Sequence, residues 1–438
     1  MSTALGWALV GGVAAMLTAP VPALHIYNVA ALFLLWVTER GIPMETEALA
    51  FLFLGMVTGY TMLSVVPGVF FAVPDESMAF TILPAQRYLL EGRGYEAVTL
   101  MGMGGLGGLG LVAFLAPLAA HVLPAVRTIL QPHLPWLLWA VVTYLLLSEW
   151  PKGSERPPAG WRRWWDGWRS LFAGLGTFLL AGLLGLILRV RSPLPPTVAY
   201  QGLMPAFVGL FAVPWLLTNL SAQVSLPPQR IGETVDAPPF LVLQATLAGV
   251  AGGSFAAFFP SVTGGIGGFL AGHATGQRDA RAFLIAQGAT RVVYYVGGYL
   301  LFFVPGLQLT RGGMAWMLST QGMLYGPQNL LWAAASALCV GALTFLLSLG
   351  LARLATRLIA AVGYQRINAL SLAVVLALVY ALTGWQGLAV CAVATGIGLL
   401  PALWGARRLN ALGLLLLGLA LGLAGLEAPV LRMLGLLG

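Results

Sequence analysis

Asp75 and Glu76 are the only adjacent acids in the chain, and they follow Pro74 at the end of an apolar run. Carboxylates inside a membrane are costly and usually functional, as proton or cation sites. At a membrane surface the same pair would cap the helix beginning near Ser77, and both readings stay open. His25 and Asn28 follow Pro22 and could bind an anion or relay protons, or could be satisfied core groups. Ser261, Thr263, Gly264 and Gly265 follow Pro260 and offer hydroxyl and backbone donors at a helix break. The alternative for them is a seam of small residues between packed helices. Arg291 lies inside the apolar run from Ala286 to Leu301. It would pair with an anionic ligand or with an acid such as Asp75, or snorkel to the surface. Arg87, Glu91, Arg93 and Glu96 read as a loop ion-pair network.

Catalytic and metal chemistry find little support. There is no HExxH, GxSxG, Walker A or DxxD-type cluster. Cys339 and Cys391 sit in apolar runs and form no CxxC, and the four histidines are scattered. Neither an enzyme nor a metal site is expected.

The elements that must position these residues are membrane helices. Of 438 residues 59% are hydrophobic and 8% charged, with a mean hydropathy of +0.88. So little polar surface excludes a soluble enzyme, a nucleic-acid-binding domain and a disordered chain. At about 20 apolar residues per span the length accommodates roughly 10 to 14 membrane segments. The apolar pieces run at about 4–20, 23–37, 48–73, 97–120, 134–148, 170–188, 199–217, 239–259, 262–272, 281–304, 329–351, 368–383, 386–404 and 409–437. Pieces such as 23–37 and 262–272 are too short to span alone and follow prolines, which predicts broken or re-entrant helices. The fold class expected is therefore an all-α polytopic membrane protein.

The stretch Ser148–Ser170 mixes Lys152, Arg156, Arg162, Arg163 and Arg169 with five tryptophans. It reads as an aromatic belt on the positively charged, cytoplasmic face rather than a nucleic-acid platform. Arg353, Arg357 and Arg366 read as an interfacial linker. Arg189 and Arg191 lie one span beyond the first loop, so either 170–188 does not cross fully or the charge rule fails there.

The two halves repeat. At one common offset Gly11 falls on Gly249 and Pro22 on Pro260, and each motif is followed by an apolar run broken at Val73-Pro74 or Val304-Pro305. Pro22, Pro74, Pro260 and Pro305 are thus the expected helix breaks. Paired interrupted segments of this kind point to the binding site of a secondary transporter. The halves are drawn at 1–150 and 239–438, with the basic loop and connecting helices at 151–238.

At these residues the chain resembles the large permease subunit of tripartite tricarboxylate transporters, the TctA family, and most closely its short stand-alone archaeal-type branch. The family's Pro-Gly-x-His-x-Asn hairpin stands here as Pro22-Ala23-Leu24-His25-Ile26-Tyr27-Asn28. Its Pro-Asp-Glu stretch is Pro74-Asp75-Glu76, and its Leu-Leu-Glu-Gly-Arg-Gly-Tyr-Glu-Ala signature is Leu89 to Ala97. The second hairpin is Pro260-Ser261-Val262-Thr263-Gly264-Gly265. Ala23 and Ser261 replace the glycines expected after each hairpin proline.

The resemblance implies a secondary transporter for small organic anions such as di- or tricarboxylates, multi-pass in the cell membrane and coupled to Na+ or H+. A flippase for polyprenyl-phosphate or another lipid-linked phosphate is the alternative, and an intramembrane enzyme on a lipid-linked substrate the second. The expected partners are the anion and membrane lipids, with no nucleic acid, and a homodimer is compatible. The chain is shorter than classical members, which argues against dependence on a binding protein and a small membrane subunit. On this reading His25, Asn28, Ser261, Thr263, Gly264, Gly265 and Arg291 bind the anion, and Asp75 and Glu76 the coupling ion.

Overall fold

The computed structural model describes residues 2–71, 73–78, 82–150, 160–195, 198, 201–232, 235–275, 279–320 and 327–437. The protein is 82% helical, and among the described residues there is no strand. In lipid a segment must satisfy its own backbone groups, and a helix does so locally. Among the described residues seven helices are long and apolar enough to cross a membrane, or eight if one bent pair counts as a span. The apolar pieces 97–120 and 134–148 fall in one helical stretch, as do 368–383 and 386–404, and others are shorter helices, which accounts for the larger number of apolar segments in the sequence. The chain divides into two compact units, Met1–Thr128 with Asn219–Ser371, and Ile129–Thr218 with Leu372–Gly438.

The first unit opens with α1 (Ser2–Thr18), which ends in a turn containing Pro20 and Pro22. The His25 ring then caps α2 (Ile26–Glu39) by accepting the Tyr27 N–H. The chain returns through α3 (Thr46–Leu63), continued by α4 (Val65–Phe70), as a span buried from Ala48 to Phe70. α1 lies directly on α3. A Cβ at Gly11 would strike the Leu52 carbonyl, and one at Gly55 the Ala8 carbonyl, so side chains smaller than alanine bring the two backbones together. Beyond α4 the chain breaks around Pro74 and makes a 3-10 turn over Glu76–Met78.

α5 (Ile82–Leu90) and α6 (Gly94–Leu130) flank the Leu89–Ala97 signature. Gly92 turns the chain with φ +75°, where a Cβ would lie 2.8 Å from the Pro228 carbonyl. Gln229 clasps the turn: its Oε1 accepts from the Gly94 N–H at 3.1 Å and its Nε2 donates to the Leu89 carbonyl at 2.9 Å. Around it Arg93 pairs with Glu96 (2.7 Å) and Glu91 (3.3 Å), and Arg87 with Glu91 (3.0 Å).

The second unit contains α7 (Leu134–Leu147), α8 (Trp161–Val190), α9 (Met204–Phe207) and α10, which begins at Val213. α8 starts nine residues before the end of the loop expected at Ser148–Ser170, so Trp161, Trp164, Trp165 and Trp168 lie on a helix and Trp150 does not. Trp161 stacks on Trp164 and Trp164 on Trp168, at the three- and four-residue spacings that a helix brings together. Lys152 and Arg156 lie outside the described residues. At 30 residues α8 is long enough to span, at about 1.5 Å per residue, with Arg189 near its far end. Length therefore permits a full crossing, in which case the positive-inside pattern fails across α8.

Back in the first unit, α11 (Pro239–Phe258) ends at a break containing Pro260, α12 (Gly264–Thr275) follows, and α13 (Ala280–Val292) returns. α13 packs on α11 with the same device used by α1 and α3: a Cβ at Gly249 would strike the Ala286 carbonyl, and the Thr290 hydroxyl donates to the Gly249 carbonyl at 3.0 Å. α13 runs through a π-helical turn (Val293–Gly297), α14 (Gly298–Leu300) and a 3-10 turn (Leu301–Phe303), then breaks at Val304-Pro305. α15 (Gly312–Ser319) and α16 (Pro327–Val362) complete the set. All four expected prolines therefore stand in breaks between helices.

Four described non-glycine residues have positive φ, and two of them are Ala23 (+60°) and Ser261 (+56°), each one place after a hairpin proline. The second unit closes with the long helix α17 (Tyr364–Trp404), then α18 (Gly413–Leu423) and α19 (Glu427–Met433). α17 has non-helical dihedrals at Gly384, between the two apolar pieces read in the sequence. The 409–437 piece is not continuous: it bends by 116° between α18 and α19. Arg353 and Arg357 lie within α16 and not in a linker, because the helix continues beyond its most apolar stretch. In the same unit as α18, wholly buried Glu149 accepts from the Arg407 N–H (2.7 Å) and from Asn410 Nδ2 (3.2 Å).

Candidate functional site

Arg291, on α13, is 2% exposed and makes four hydrogen bonds. Nε donates to the Ser77 hydroxyl (2.8 Å), Nη1 to the Thr61 carbonyl (2.9 Å), and Nη2 to the Ser64 hydroxyl (2.8 Å) and to Asp75 Oδ2 (2.5 Å). Asp75 Oδ2 also accepts from the Tyr60 hydroxyl at 3.1 Å. Its Oδ1 accepts from the Ser77 hydroxyl (2.5 Å) and from the backbone N–H groups of Ser77 (3.1 Å) and Met78 (3.2 Å). Asp75 thus caps the 3-10 turn with one oxygen and neutralises Arg291 with the other. A buried ion pair holds only when its remaining donors and acceptors are satisfied, and here four of the five Arg291 N–H groups and both Asp75 oxygens are bonded.

Glu76 is placed differently. Its Oε1 accepts from the Tyr295 hydroxyl at 2.7 Å, and among the described residues it has no cationic partner. The Tyr295 oxygen in turn lies 3.1 Å from His25 Nε2. Because His25 Nδ1 accepts the Tyr27 N–H, a neutral ring carries its proton on Nε2. The bonds then run in one direction, from the Tyr27 N–H through His25 and Tyr295 to Glu76. The ring centroids of His25 lie 4.8 Å from those of Tyr60 and 4.6 Å from Tyr27, so three aromatic groups fix the imidazole.

The second hairpin reaches the same place. Gly264 opens α12 with the Tyr294 ring 3.1 Å and Ser77 Cβ 3.3 Å from where its Cβ would be. The first-turn N–H groups of α12 begin there, a position that favours negative charge. Thr263 is 1% exposed and its hydroxyl has no partner among the described residues; Asn28 Nδ2, one turn beyond His25, likewise has none among them. Unpartnered buried polar atoms are rare in native proteins.

His25, Asp75, Glu76, Gly264 and Arg291 are therefore in one connected cluster, with Asn28 and Thr263 beside its members. Ser261 and Gly265 belong to the second tip and make no hydrogen bond to the network. The sequence reading missed Tyr60, Ser64, Ser77 and Tyr295. It also missed Arg311, which follows the second break and donates to the carbonyls of Ala257 (2.7 Å), Ala256 (2.6 Å) and Phe259 at the end of α11.

Half-buried carboxylates gathered with tyrosines and a buried guanidinium between paired broken helices define a polytopic membrane protein with a polar interior of the kind secondary transporters use. A model of the "Tripartite tricarboxylate transporter TctA family" matches residues 5–429, nearly the whole chain, and the protein belongs to that family. It is similar to an uncharacterized protein of Methanocaldococcus jannaschii, with 23% identity over 288 residues that make up 64% of each chain. The chain thus spans under two thirds of the length of this curated relative. No solved structure matches.

Proposed function

We propose that this protein is a secondary-active permease of the cell membrane that carries small organic anions, di- or tricarboxylates, coupled to Na+ or H+. The observation that supports this most is the meeting of the two hairpins at one buried network. The first hairpin contributes an imidazole, and the break after α4 contributes two acids. The second contributes helix N-terminal donors and an unpartnered hydroxyl. On this reading the anion sits against Asn28, Ser261, Thr263, Gly264 and Gly265, and His25 borders it. Asp75 and Glu76 lie toward the coupling cation, and the Asp75–Arg291 pair holds the frame between them.

Net transport requires that the anion and the cation favour the same state of the protein. The test is uptake of [14C]citrate and [14C]succinate into proteoliposomes carrying the full chain, with an imposed Na+ or proton gradient. Saturable uptake above protein-free liposomes, accelerated by one of the gradients, is the expected result. Absence of uptake for both acids under both gradients overturns the proposal.

A further inference from the structure

Arg291 and Arg311 are both guanidinium groups beside the site, and they are satisfied in different ways. Arg291 has the Asp75 carboxylate. Among the described residues Arg311 has no carboxylate partner; its bonds go to the carbonyls of Ala256, Ala257 and Phe259 and, at 3.4 Å, to that of Val262. All of these come from Nε and Nη2. The partial negative charge at a helix C-terminus amounts to about half an elementary charge, so capping α11 explains those two nitrogens and part of the charge. It leaves the two N–H groups of Nη1 without a partner among the described residues. The residue after Val262 is Thr263, whose buried hydroxyl also lacks one. Tyr27 packs its ring 3.2 Å from where a Cβ on Gly313 would be, two places after Arg311, and so walls the same side.

We infer that Arg311 is the anchor for a carboxylate of the transported anion: Nη1 donates to one carboxylate oxygen and the Thr263 hydroxyl to the other. The carboxylate supplies the full negative charge that the helix end does not, and charge-assisted bonds of this kind are about twice as strong as neutral ones. Arg291, already neutralised by Asp75, is a framework group. This inference rests on the transport reading above and specifies which cation recognises the substrate.

The experiment uses the full chain in proteoliposomes with [14C]citrate and [14C]succinate, beside melting curves of the same proteins with and without the unlabelled acids. Wild-type protein that takes up neither acid defeats the transport reading before Arg311 is at issue. With wild-type uptake of either acid, Thr263→Val is expected to raise KM at least fivefold with the maximal rate within twofold. Its melting temperature should not fall, since the lost hydroxyl bonds nothing among the described residues. Arg311→Lys keeps the charge and loses the planar fork, and is expected to raise KM at least tenfold. In Arg311→Gln the acids should no longer raise the melting temperature. Arg311→Lys with a lowered melting temperature and an unchanged KM is the signature of a helix cap alone and overturns the assignment. Unchanged KM in Thr263→Val as well as Arg311→Lys does the same, while leaving transport itself standing.

Discussion

The two hairpins share a backbone plan and differ in charge. In both, a helix ends at a proline, the next residue takes a left-handed conformation, and the returning helix packs on the first where a glycine lets the backbones touch. After the first hairpin, the break beyond α4 carries Asp75 and Glu76. After the second, α13 carries Arg291 and the break beyond it leads to Arg311. Acids come from one half and cations from the other. One cation and one acid cancel as the Asp75–Arg291 pair, which leaves Glu76 on one side and Arg311 on the other without ionic partners among the described residues. A repeated scaffold can thus be polarised by a few substitutions while its geometry is kept.

The largest effect expected from breaking this arrangement is at the cancelled pair. Asp75→Asn leaves Arg291 buried without a counter-charge and should destabilise the protein by about 3–5 kcal/mol, read as a fall in melting temperature or loss of folded material. A neutral result would mean that the two halves are not held together by this pair. Glu76→Gln comes next. It keeps an acceptor for Tyr295 and should leave folding in place, yet reduce gradient-driven accumulation of the anion at least tenfold while exchange across the membrane persists. Accumulation at the wild-type level would remove Glu76 from the coupling step.

The shared backbone can be tested by restoring its expected glycines. Ala23→Gly and Ser261→Gly relieve left-handed strain, which costs roughly 1–2 kcal/mol for a residue with a Cβ. The extra freedom of glycine in the unfolded chain offsets up to about 1 kcal/mol of that. Each variant should therefore melt slightly higher than the parent, and by similar amounts at the two tips. A rise at one tip and a fall at the other would show that the resemblance between the hairpins stops at the prolines.

The smallest effect concerns Asp279, which caps α13 by accepting the Arg281 N–H at 2.7 Å. The hydrogen bonds from Arg281 hold its carboxyl below the usual carboxylate range. A depressed folded value means that the stabilisation is present at neutral pH and is lost as the pH falls through that value. Asp279→Ala should cost about 1 kcal/mol at pH 7, and its deficit relative to wild type should shrink in strong acid. A deficit that stays constant with pH would assign the loss to packing.

Much of the fold could be read from residue spacing. The prolines at 22, 74, 260 and 305 marked breaks because each interrupts an apolar run, and a helix loses both a hydrogen bond and space at an internal proline. Helix ends were less legible where arginine and tryptophan begin, because α8 and α16 continue as helices past their most apolar stretches. In the site, Asp75 and Glu76 stood out as adjacent acids, but their division of labour did not. That division depends on Arg291, 216 positions away from Asp75, and on Tyr295, which bonds His25 across 270 positions. A tyrosine in an apolar run has the same pattern whether it packs or donates a hydrogen bond, so Tyr60 and Tyr295 gave no local signal. Arg311 did give one: it is the only charged residue between Arg291 and Arg353.

The span made of α3 and α4 is buried from Ala48 to Phe70, and this has a consequence for the order of events in synthesis. Besides α1, which precedes it, its cover comes from α13, α15 and α16, the first of which begins at Ala280, more than 200 residues after the span ends at Phe70. When it enters the bilayer it is lined by lipid on sides that later become protein contacts. An apolar surface all round, with its hydroxyls bonded back to its own carbonyls at Thr58, Thr61 and Ser64, suits that interval. Asp75 must then wait for Arg291 to be made, so the network at the break beyond α4 is complete only when α13 has been translated.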